Sequence, residues 1–300
     1  MNARAILNSR LGVETALWLG RTLPMRTGHA LADAIAGLIS RRGDLAPVRA
    51  VRCNQFVVQD MQASSAELDH LVRATFRSAA RCIFDFYHWM DNPRALLTQV
   101  VVESSFQSII EQTIRQERAT ILALPHVANF DLVGRAVAQR GMRFQAITPP
   151  APPGGYQLQN KLRSQAGMEA TPASMEAVRQ ATQRLKAGGC VVTGVDRPVP
   201  EAKVFPRFFG HSASLPLAHI RLALRLDLPV YVVGVAQDEV SRYHIWSSEP
   251  VAMQRCPHAD EELVVNAETI LKMIEENIRE YSVQWNMTYP VWPQLLDDMP

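Results

Sequence analysis

The stretch TILALPHVANFDLVG, residues 120–134, decides the fold class and contains the first candidate functional residues. Its first five residues are mostly aliphatic and predict a buried strand, and residues 130–140 have the apolar spacing of a helix. A strand followed directly by a helix is the repeating unit of an α/β protein with a parallel sheet. Between the two elements lie a histidine and, five residues later, an aspartate.

The same alternation continues through the rest of the chain. Further β-rich runs predict strands at 144–148, 190–195 and 230–235, and helical patterns occur at 157–166, 174–187, 213–226 and 260–281. The connection TPPAPPGG, 148–155, is too rich in proline for a strand or the interior of a helix. We therefore predict an α/β fold with a mostly parallel central sheet flanked by helices.

The first third of the chain is helical in pattern. Apolar residues recur at helical spacing over 5–20, 30–39 and 66–90, and Pro24 separates the first two segments. These segments predict an amphipathic N-terminal helical layer, residues 1–95, that associates with membranes. Residues 96–300 then form the α/β domain, and we expect both parts to belong to one structural unit.

The N-terminal segment is also the basic end of the chain. Residues 1–53 contain eight arginines and three acidic residues, whereas the whole chain has a formal net charge of +2, too small to indicate a nucleic-acid-binding protein. Arginines beside Trp18 and Leu19 are typical of a helix that rests in a membrane interface. The same helices can also cover one side of the core, and the two roles are compatible.

Targeting and redox signals indicate a cytosol-facing protein. Charged residues interrupt the first 22 positions, which leaves neither a signal peptide nor a run of about 20 apolar residues that could span a bilayer. The four cysteines are widely separated and form no CxxC pair. We expect neither a structural zinc nor any other metal site.

His126 and Asp131 suit general-base chemistry if they meet. Residues five apart on one continuous helix point about 140° apart, so His126 must lie in a turn before the helix, with Asn129 as its N-cap. Asp131 can then accept from one ring nitrogen while the other takes a proton from an attacking hydroxyl. The alternative is a capping aspartate and a histidine satisfied by backbone. Their position at the carboxyl end of a strand favours a ligand site.

Four blocks along the chain carry a family resemblance. They are ALPHVANFDLVG (123–134), NKLRSQAGM (160–168), AVRQATQRLKAGGCVVTGVDRP (177–198) and FPRFFGHSASLPLAHIRLALRLDLPVYVVGV (205–235). In order and spacing they resemble the bacterial lipid A biosynthesis lauroyl/myristoyl acyltransferase family. That family includes the phosphatidylinositol mannoside acyltransferases and is related to glycerolipid acyltransferases with an HX4D/E motif. The resemblance extends over about residues 115–240, and the N-terminal helices match only in character.

The resemblance implies both a reaction and its residues. A fatty acyl group moves from acyl-CoA or acyl-carrier protein to a hydroxyl of a membrane glycolipid or lysophospholipid, without a covalent acyl-enzyme and without a metal or redox cofactor. His126 and Asp131 match the motif's histidine and acid. The residues implied for substrate binding are Arg163, Asp196, Arg197, Phe208, Phe209 and Gly210, and we add Asn129 and Glu201 from their positions.

Several roles remain alternatives at this point. Arg163 or backbone N–H groups near the helix start are candidates to stabilise an oxyanion. Asp196 is expected to pair with Arg197 or Arg163, either in substrate binding or as a plain structural ion pair, and Glu201 is a weaker candidate to support His126. Three further histidines match no catalytic pattern and are expected at the surface or satisfied in the core: His211, His219 and His244.

Three hypotheses about function follow. The leading one is a peripheral O-acyltransferase on the cytoplasmic face of the cell's inner membrane, with the membrane surface, a lipid acceptor and an acyl thioester as its partners. The second is a thioesterase in which His126 activates water, although no GxSxG nucleophile motif is present. The third is a catalytically silent lipid-binding protein with the same fold.

Overall fold

The computed structural model describes residues 10–149, 163–164, 168–200 and 202–300. Most of the predicted helix at 157–166, most of the connection at 148–155, and Glu201 lie outside the described residues. The helices are α1 (Arg10–Thr22), α2 (Met25–Ser40), α3 (Ala46–Val58), α4 (Ser65–Trp89), α5 (Pro93–Gln99), α6 (Ser104–Ile114), α7 (Phe130–Gln139), α8 (Met175–Lys186), α9 (Ala218–Leu226) and α10 (Ala259–Glu280). The strands are β1 (Val100–Val102), β2 (Thr120–Leu124), β3 (Phe144–Thr148), β4 (Met168–Pro172), β5 (Cys190–Gly194), β6 (Arg207–Phe208), β7 (His211–Ser212), β8 (Val230–Gln237) and β9 (Tyr243–Ser247).

Helices α1 to α4 form the predicted N-terminal layer. Pro24, with φ −59°, separates α1 from α2, because proline lacks the N–H that would continue the first helix. Helix α4 begins with a capping box, in which the Ser64 N–H donates to the Glu67 carboxylate at 2.8 Å. Helices α2 and α4 pack closely, since a Cβ built on Gly28 would lie 1.9 Å from Cζ of Phe84. Only glycine permits this approach.

The central sheet confirms the predicted α/β fold class. Among the described residues it has seven strands in the order β1-β9-β8-β2-β5-β3-β4. Strands β8, β2, β5, β3 and β4 are parallel, and β9, which is antiparallel to β8, carries β1 at the edge. The predicted strands at 120–124 and 144–148 match β2 and β3 in both bounds.

The register of β2 and β5 brings two loops together. Leu124 pairs with Gly194 at the carboxyl ends of these strands. His126 and Asp196 each lie two residues beyond that pair, so the two loops leave the same edge of the sheet side by side. Ligand sites of α/β proteins form at this edge.

The hydrophobic core joins the sheet to the N-terminal helices. Val13 of α1 and Phe86 of α4 belong to the same buried cluster as Ile121 of β2. The C-terminal segment contributes the two largest fully buried side chains of the described residues, Trp285 and Trp292. The last 20 residues therefore close the core beneath the loops at the carboxyl edge.

Two observations bear on the sequence predictions for the rest of the chain. Helix α9 begins at Ala218, five residues later than the predicted segment at 213–226, because Pro216 cannot lie inside a helix. Across the described ranges, no helix combines the length and apolar composition needed to cross a bilayer. The division into residues 1–95 and 96–300 stays a prediction.

Candidate active site

His126 is held by a buried carboxylate from the neighbouring loop. Its Nδ1 lies 2.6 Å from Oδ1 of Asp196, and its backbone N–H donates to Oδ2 of the same residue at 2.8 Å. Because Nδ1 faces a carboxylate, the neutral ring carries its proton on Nδ1, which leaves Nε2 as the acceptor. Nε2 makes no hydrogen bond within the described part of the chain. The geometry therefore suits a general base.

Asp196 stays ionised although it is fully buried. Burial alone would raise the pKa of its carboxyl group, but the electrostatic interaction with His126 and the hydrogen bonds from His126 outweigh burial and hold the pKa below its ordinary value. A further hydrogen bond comes from Nε1 of Trp285, which donates to Oδ2 at 2.7 Å. The carboxylate thus has three donors, which is how a buried charge becomes tolerable.

Hydrogen bonds with the C-terminal segment fix the loop that contains His126. The N–H of Asn286 donates to the His126 carbonyl at 2.8 Å, and the Asn286 side chain donates to the Ala128 carbonyl at 2.9 Å. The Ala128 N–H in turn donates to the Gln284 carbonyl at 2.8 Å. Ala128 has φ +51°, a conformation costly for a residue with a Cβ, and these hydrogen bonds maintain it.

Asp131 does not contact the ring nitrogens of His126, so the predicted pairing is wrong. Its carboxylate instead receives two hydrogen bonds from Arg163, at 2.8 Å from Nε and 2.6 Å from Nη2. Asp131 lies in the first turn of α7, where its carboxylate meets Arg163. The loop after β5 already places Asp196 against Nδ1. Any catalytic role of Asp131 stays a prediction.

The predicted partners of Asp196 also differ from those in the structure. Arg163 is engaged by Asp131, and the guanidinium of Arg197 lies over the Tyr289 ring, 4.1 Å from its centroid, while donating to the Tyr289 hydroxyl. Within the described ranges, Asp196 therefore pairs with His126 and not with an arginine. Its neighbour Arg197 lines the cavity described next.

An apolar cavity of about 300 Å³ opens beside His126. Its walls come from the sheet and from α7, with Leu122, Leu124, Val133, Val137, Val192, Val233 and Val235 among the lining residues. His126 and Arg197 lie at the carboxyl edge of the strands, whereas Phe144 and Met168 begin β3 and β4 at the opposite edge. The cavity therefore runs along the strands, whose five residues extend about 16 Å.

The other predicted binding residues lie away from the cavity. Phe208 and Phe209 are buried and pack with Trp285 and Trp292, and Gly210 completes the hairpin turn with φ +75°. None of the three lines the cavity. Phe208 instead contacts Trp285, which donates to Asp196, so this aromatic cluster supports the site from beneath.

Asn129 is the N-cap of α7, as predicted. Its Oδ1 accepts from the Leu132 N–H at 3.3 Å, and its Nδ2 donates to the Cys82 carbonyl of α4 at 2.7 Å. The oxygen and the nitrogen of the side-chain amide thus both make hydrogen bonds within the protein, and the residue does not line the cavity. Asn129 therefore links the His126 loop to the N-terminal layer.

Of the three histidines that match no catalytic pattern, His244 and His219 lie in different surroundings. His244 lies between Glu103 and Asp238, at 2.9 and 3.0 Å, and these hydrogen bonds raise its pKa. His219 is buried and lines the cavity, burial lowers its pKa to about 3, and its Nδ1 has no hydrogen-bond partner among the described residues. The expectation that each is exposed or satisfied in the core is therefore wrong for His219.

Sequence reasoning missed the contribution of the C-terminal segment. Trp285, Asn286 and Tyr289 contact Asp196, the His126 loop and Arg197 respectively, although they lie about 90 to 160 residues away in sequence. A tryptophan followed directly by an asparagine after the last long helix was the available signal. No motif connects it to the site, because the contacts are set by how the chain end packs.

A histidine held by a buried carboxylate beside a long apolar cavity is typical of an enzyme that acts on a substrate with an apolar chain. The sequence model of the family described as bacterial lipid A biosynthesis acyltransferase matches residues 9–294. The chain belongs to this family, which confirms the predicted resemblance.

Two curated relatives are phosphatidylinositol mannoside acyltransferases. The one from Mycobacterium tuberculosis is 24% identical over 179 residues, covering 57% of this chain and 54% of its own length. The one from Mycolicibacterium smegmatis is 22% identical over 240 residues, covering 77% of this chain and 75% of its own. The chain thus spans about half of the first relative and three quarters of the second.

A solved structure is also similar. The 1-acyl-sn-glycerophosphate acyltransferase PlsC from Thermotoga maritima aligns with 84% of this chain and 97% of its own, at 14% identity and a TM-score of 0.37.

Proposed function

We propose that the protein transfers a fatty acyl group from an acyl thioester, carried on CoA or on acyl-carrier protein, to a hydroxyl of a membrane glycolipid or lysophospholipid. The observation that carries this proposal is the His126–Asp196 pair beside the apolar cavity, in a member of an acyltransferase family. One side of the site can activate a hydroxyl, and the other can bury an acyl chain. No metal or redox cofactor is required.

In this mechanism Nε2 of His126 takes the proton of the acceptor hydroxyl as its oxygen attacks the thioester carbonyl. Asp196 fixes the tautomer through Nδ1 and stabilises the imidazolium that forms. The tetrahedral intermediate then expels the sulfur, the ester bond remains, and the proton passes from His126 to the thiolate. The products are the acylated lipid and a free thiol, and no acyl-enzyme forms.

Arg163 is the proposed stabiliser of the negative charge that develops on the carbonyl oxygen. It lines the cavity and is buried, and Asp131 orients its guanidinium through two hydrogen bonds. A fixed guanidinium in a water-poor site stabilises developing charge without reorganisation. In this mechanism the acid of the HX4D pattern acts on Arg163, and Asp196 acts on His126.

The test is thiol release from a series of acyl-CoAs, measured with and without a total bacterial lipid extract. We expect release to depend on added lipid and to be lost in His126→Ala. The matched control is His258→Ala, because His258 is exposed and makes no side-chain cap. Equal release without lipid would instead indicate a thioesterase. No release from acyl-CoA or from acyl-carrier protein would indicate a silent lipid-binding protein.

We predict that Gly134→Leu shifts the enzyme toward shorter acyl chains. Gly134 lines the cavity, and a Cβ there would lie 3.0 Å from Sδ of Met168 and 3.6 Å from Cζ of Phe144, at the end remote from His126. Each methylene that no longer fits loses about 0.8 kcal/mol of burial, or about fourfold in kcat/KM.

The measurement is kcat/KM over a series of acyl-CoA chain lengths. Gly134→Ala should give an intermediate shift, because it adds one carbon instead of four. Short donors should keep their wild-type rates in both variants. A uniform loss at every chain length would contradict this position of the acyl chain.

Membrane association is the second part of the proposal. Helix α2 is apolar on both sides: its small residues Ala32 and Ala36 are buried, while Leu31, Ile35 and Leu38 are 37, 41 and 68% exposed. These three exposed side chains, one helical turn apart, form what we term the apolar stripe. Large apolar side chains in a contiguous exposed row indicate an interaction surface. Because the proposed acceptor is a membrane lipid, we infer that the apolar stripe contacts the bilayer.

We predict that Ile35→Gln/Leu38→Gln weakens binding to lipid vesicles by about tenfold, because two apolar side chains no longer enter the interface. Truncating the helix would be a poor test, since α2 packs on α4 through Gly28. Vesicle sedimentation measures the effect. The matched control is Met175→Gln/Val240→Gln, at apolar side chains 87 and 69% exposed elsewhere. Equal losses in both pairs would contradict a role of the stripe.

A further inference from the structure

A notch lined by arginines adjoins the apolar stripe. It lies between α2 and α4 and is lined by Asp33, Ala34, Gly37, Leu38, Arg41, Arg73 and Arg77. Its base is open at Gly37, where a Cβ would meet no atom within 4 Å. We term this feature the arginine notch. None of the described residues lines both this notch and the cavity beside His126.

The arginine notch has positive charge that the protein does not neutralise. Among the residues that the structure describes, Asp33 is its only acidic lining residue, and that carboxylate already accepts two hydrogen bonds from Arg81, at 2.7 and 2.6 Å, and lies 3.7 Å from Arg77. Arg41 and Arg73 form no ion pair within the described ranges. The guanidinium groups are therefore available to an anion.

The chemistry of the arginine notch fits a phosphate. Guanidinium groups bind phosphate oxygens through paired hydrogen bonds, and several arginines around one recess match a group with several charged oxygens. Leu38 belongs both to the notch and to the apolar stripe. A ligand with a phosphate head and apolar chains would satisfy both surfaces at once.

We propose that the arginine notch binds the phosphate headgroup of an anionic membrane lipid, so that the enzyme selects the membrane by charge as well as by hydrophobicity. This inference rests on the membrane association proposed above and adds a defined site to it. The lipid bound here is a surface ligand and not the acyl acceptor, because the notch and the cavity are separate.

The test is sedimentation with neutral phosphatidylcholine vesicles and with vesicles that also contain phosphatidylglycerol. We expect the wild type to prefer the anionic vesicles, and Arg73→Gln/Arg77→Gln to lower that binding by about 25-fold, at about fivefold for each arginine near an anionic surface. Binding to neutral vesicles should not change. The matched control is Arg221→Gln/Arg225→Gln, an exposed pair with the same spacing on α9, which should keep wild-type binding to both vesicle types.

A second variant separates the shape of the notch from net charge. Gly37→Gln fills the notch, keeps every arginine and meets no neighbouring atom at its Cβ. We expect it to weaken binding to anionic vesicles alone. If both arginine pairs lost binding to anionic vesicles equally, or if Gly37→Gln lost none, the binding would depend only on the net charge of the protein. Either result would overturn the arginine notch as a site. Release by an equal concentration of soluble glycerophosphoglycerol would overturn the lipid as its ligand.

The same experiment distinguishes failure of the notch from failure of the proposed function. If the notch is not a site, neutral vesicles still bind through the apolar stripe, and lipid-dependent thiol release remains. If the wild type sediments with neither kind of vesicle, membrane association and the notch both fail. Thiol release with detergent-dispersed lipid then tests acyl transfer by itself.

Discussion

We expect Asp196→Asn to lower kcat by about 10²- to 10⁴-fold, close to the loss in His126→Ala, because both remove the general base. An asparagine that keeps its oxygen toward the His126 N–H and Trp285 must turn its NH₂ toward Nδ1. The ring then carries its proton on Nε2, which can no longer accept one from the acceptor hydroxyl. The measurement is the rate of thiol release with saturating donor and lipid.

Asp131→Asn is the informative comparison, since the two aspartates lie in the same site with different partners. We expect a smaller loss of kcat with little change in KM for the donor, because Asp131 orients Arg163, which stabilises charge in the transition state, and does not touch the His126 ring nitrogens. If Asp131→Asn removed activity while Asp196→Asn retained it, the pairing of His126 in the active enzyme would be the one the sequence pattern indicates.

Folding must be checked separately for Asp196→Asn. The carboxylate is fully buried and accepts hydrogen bonds from two parts of His126 and from Trp285. The asparagine keeps these contacts but loses the negative charge that strengthens them, so the variant should melt at a lower temperature. His126→Ala provides the reference, because it removes the ring and leaves the carboxylate with its other donors. Activity is therefore compared well below both melting temperatures.

Gly194→Ala should lower kcat by about 100-fold with little change in stability. A Cβ at this position would lie 2.7 Å from Cε1 of His126, closer than real Cβ atoms approach another atom, and 3.4 Å from Nε2. The backbone of Gly194 is not left-handed, so alanine is compatible with strand β5. The ring must move instead, and a displacement near 1 Å costs about this much in rate.

For each variant, both kcat and the midpoint temperature of thermal unfolding are measured. Gly43→Ala is the matched control, because nothing lies within 4 Å of a Cβ there and its backbone is also not left-handed. A Gly194→Ala enzyme with wild-type kcat would show that the ring position seen here is not the one used in catalysis. A loss of kcat in proportion to a loss of folded protein would show the same.

Secondary structure and fold class were accessible from local pattern. Local pattern predicts the strands at 120–124 and 144–148 with their observed bounds, because aliphatic runs bounded by turn residues specify a buried strand without reference to the rest of the chain. Strand β1 and strand β9 were not predicted. β1 has three residues and depends on its pairing with β9, which no local pattern encodes.

The site was accessible only in part. His126 could be located because it follows a strand and precedes a helix, and such loops gather at the carboxyl edge of a parallel sheet. Local pattern does not predict which side chain the carboxylate of Asp131 contacts. Asp131 contacts Arg163, whose segment reaches the site from 32 residues away.

The sequence by itself determined the alternation of strands and helices, the place of His126 and membership of the family, because periodicity and motif spacing are local properties. Tertiary structure alone decided that Asp196 holds His126. That contact spans 70 residues and requires β2 to lie beside β5 with Leu124 opposite Gly194. It also brought Trp285 to the same carboxylate from 89 residues away. Strand order and the packing of the chain end depend on the whole core, so no local pattern specifies them.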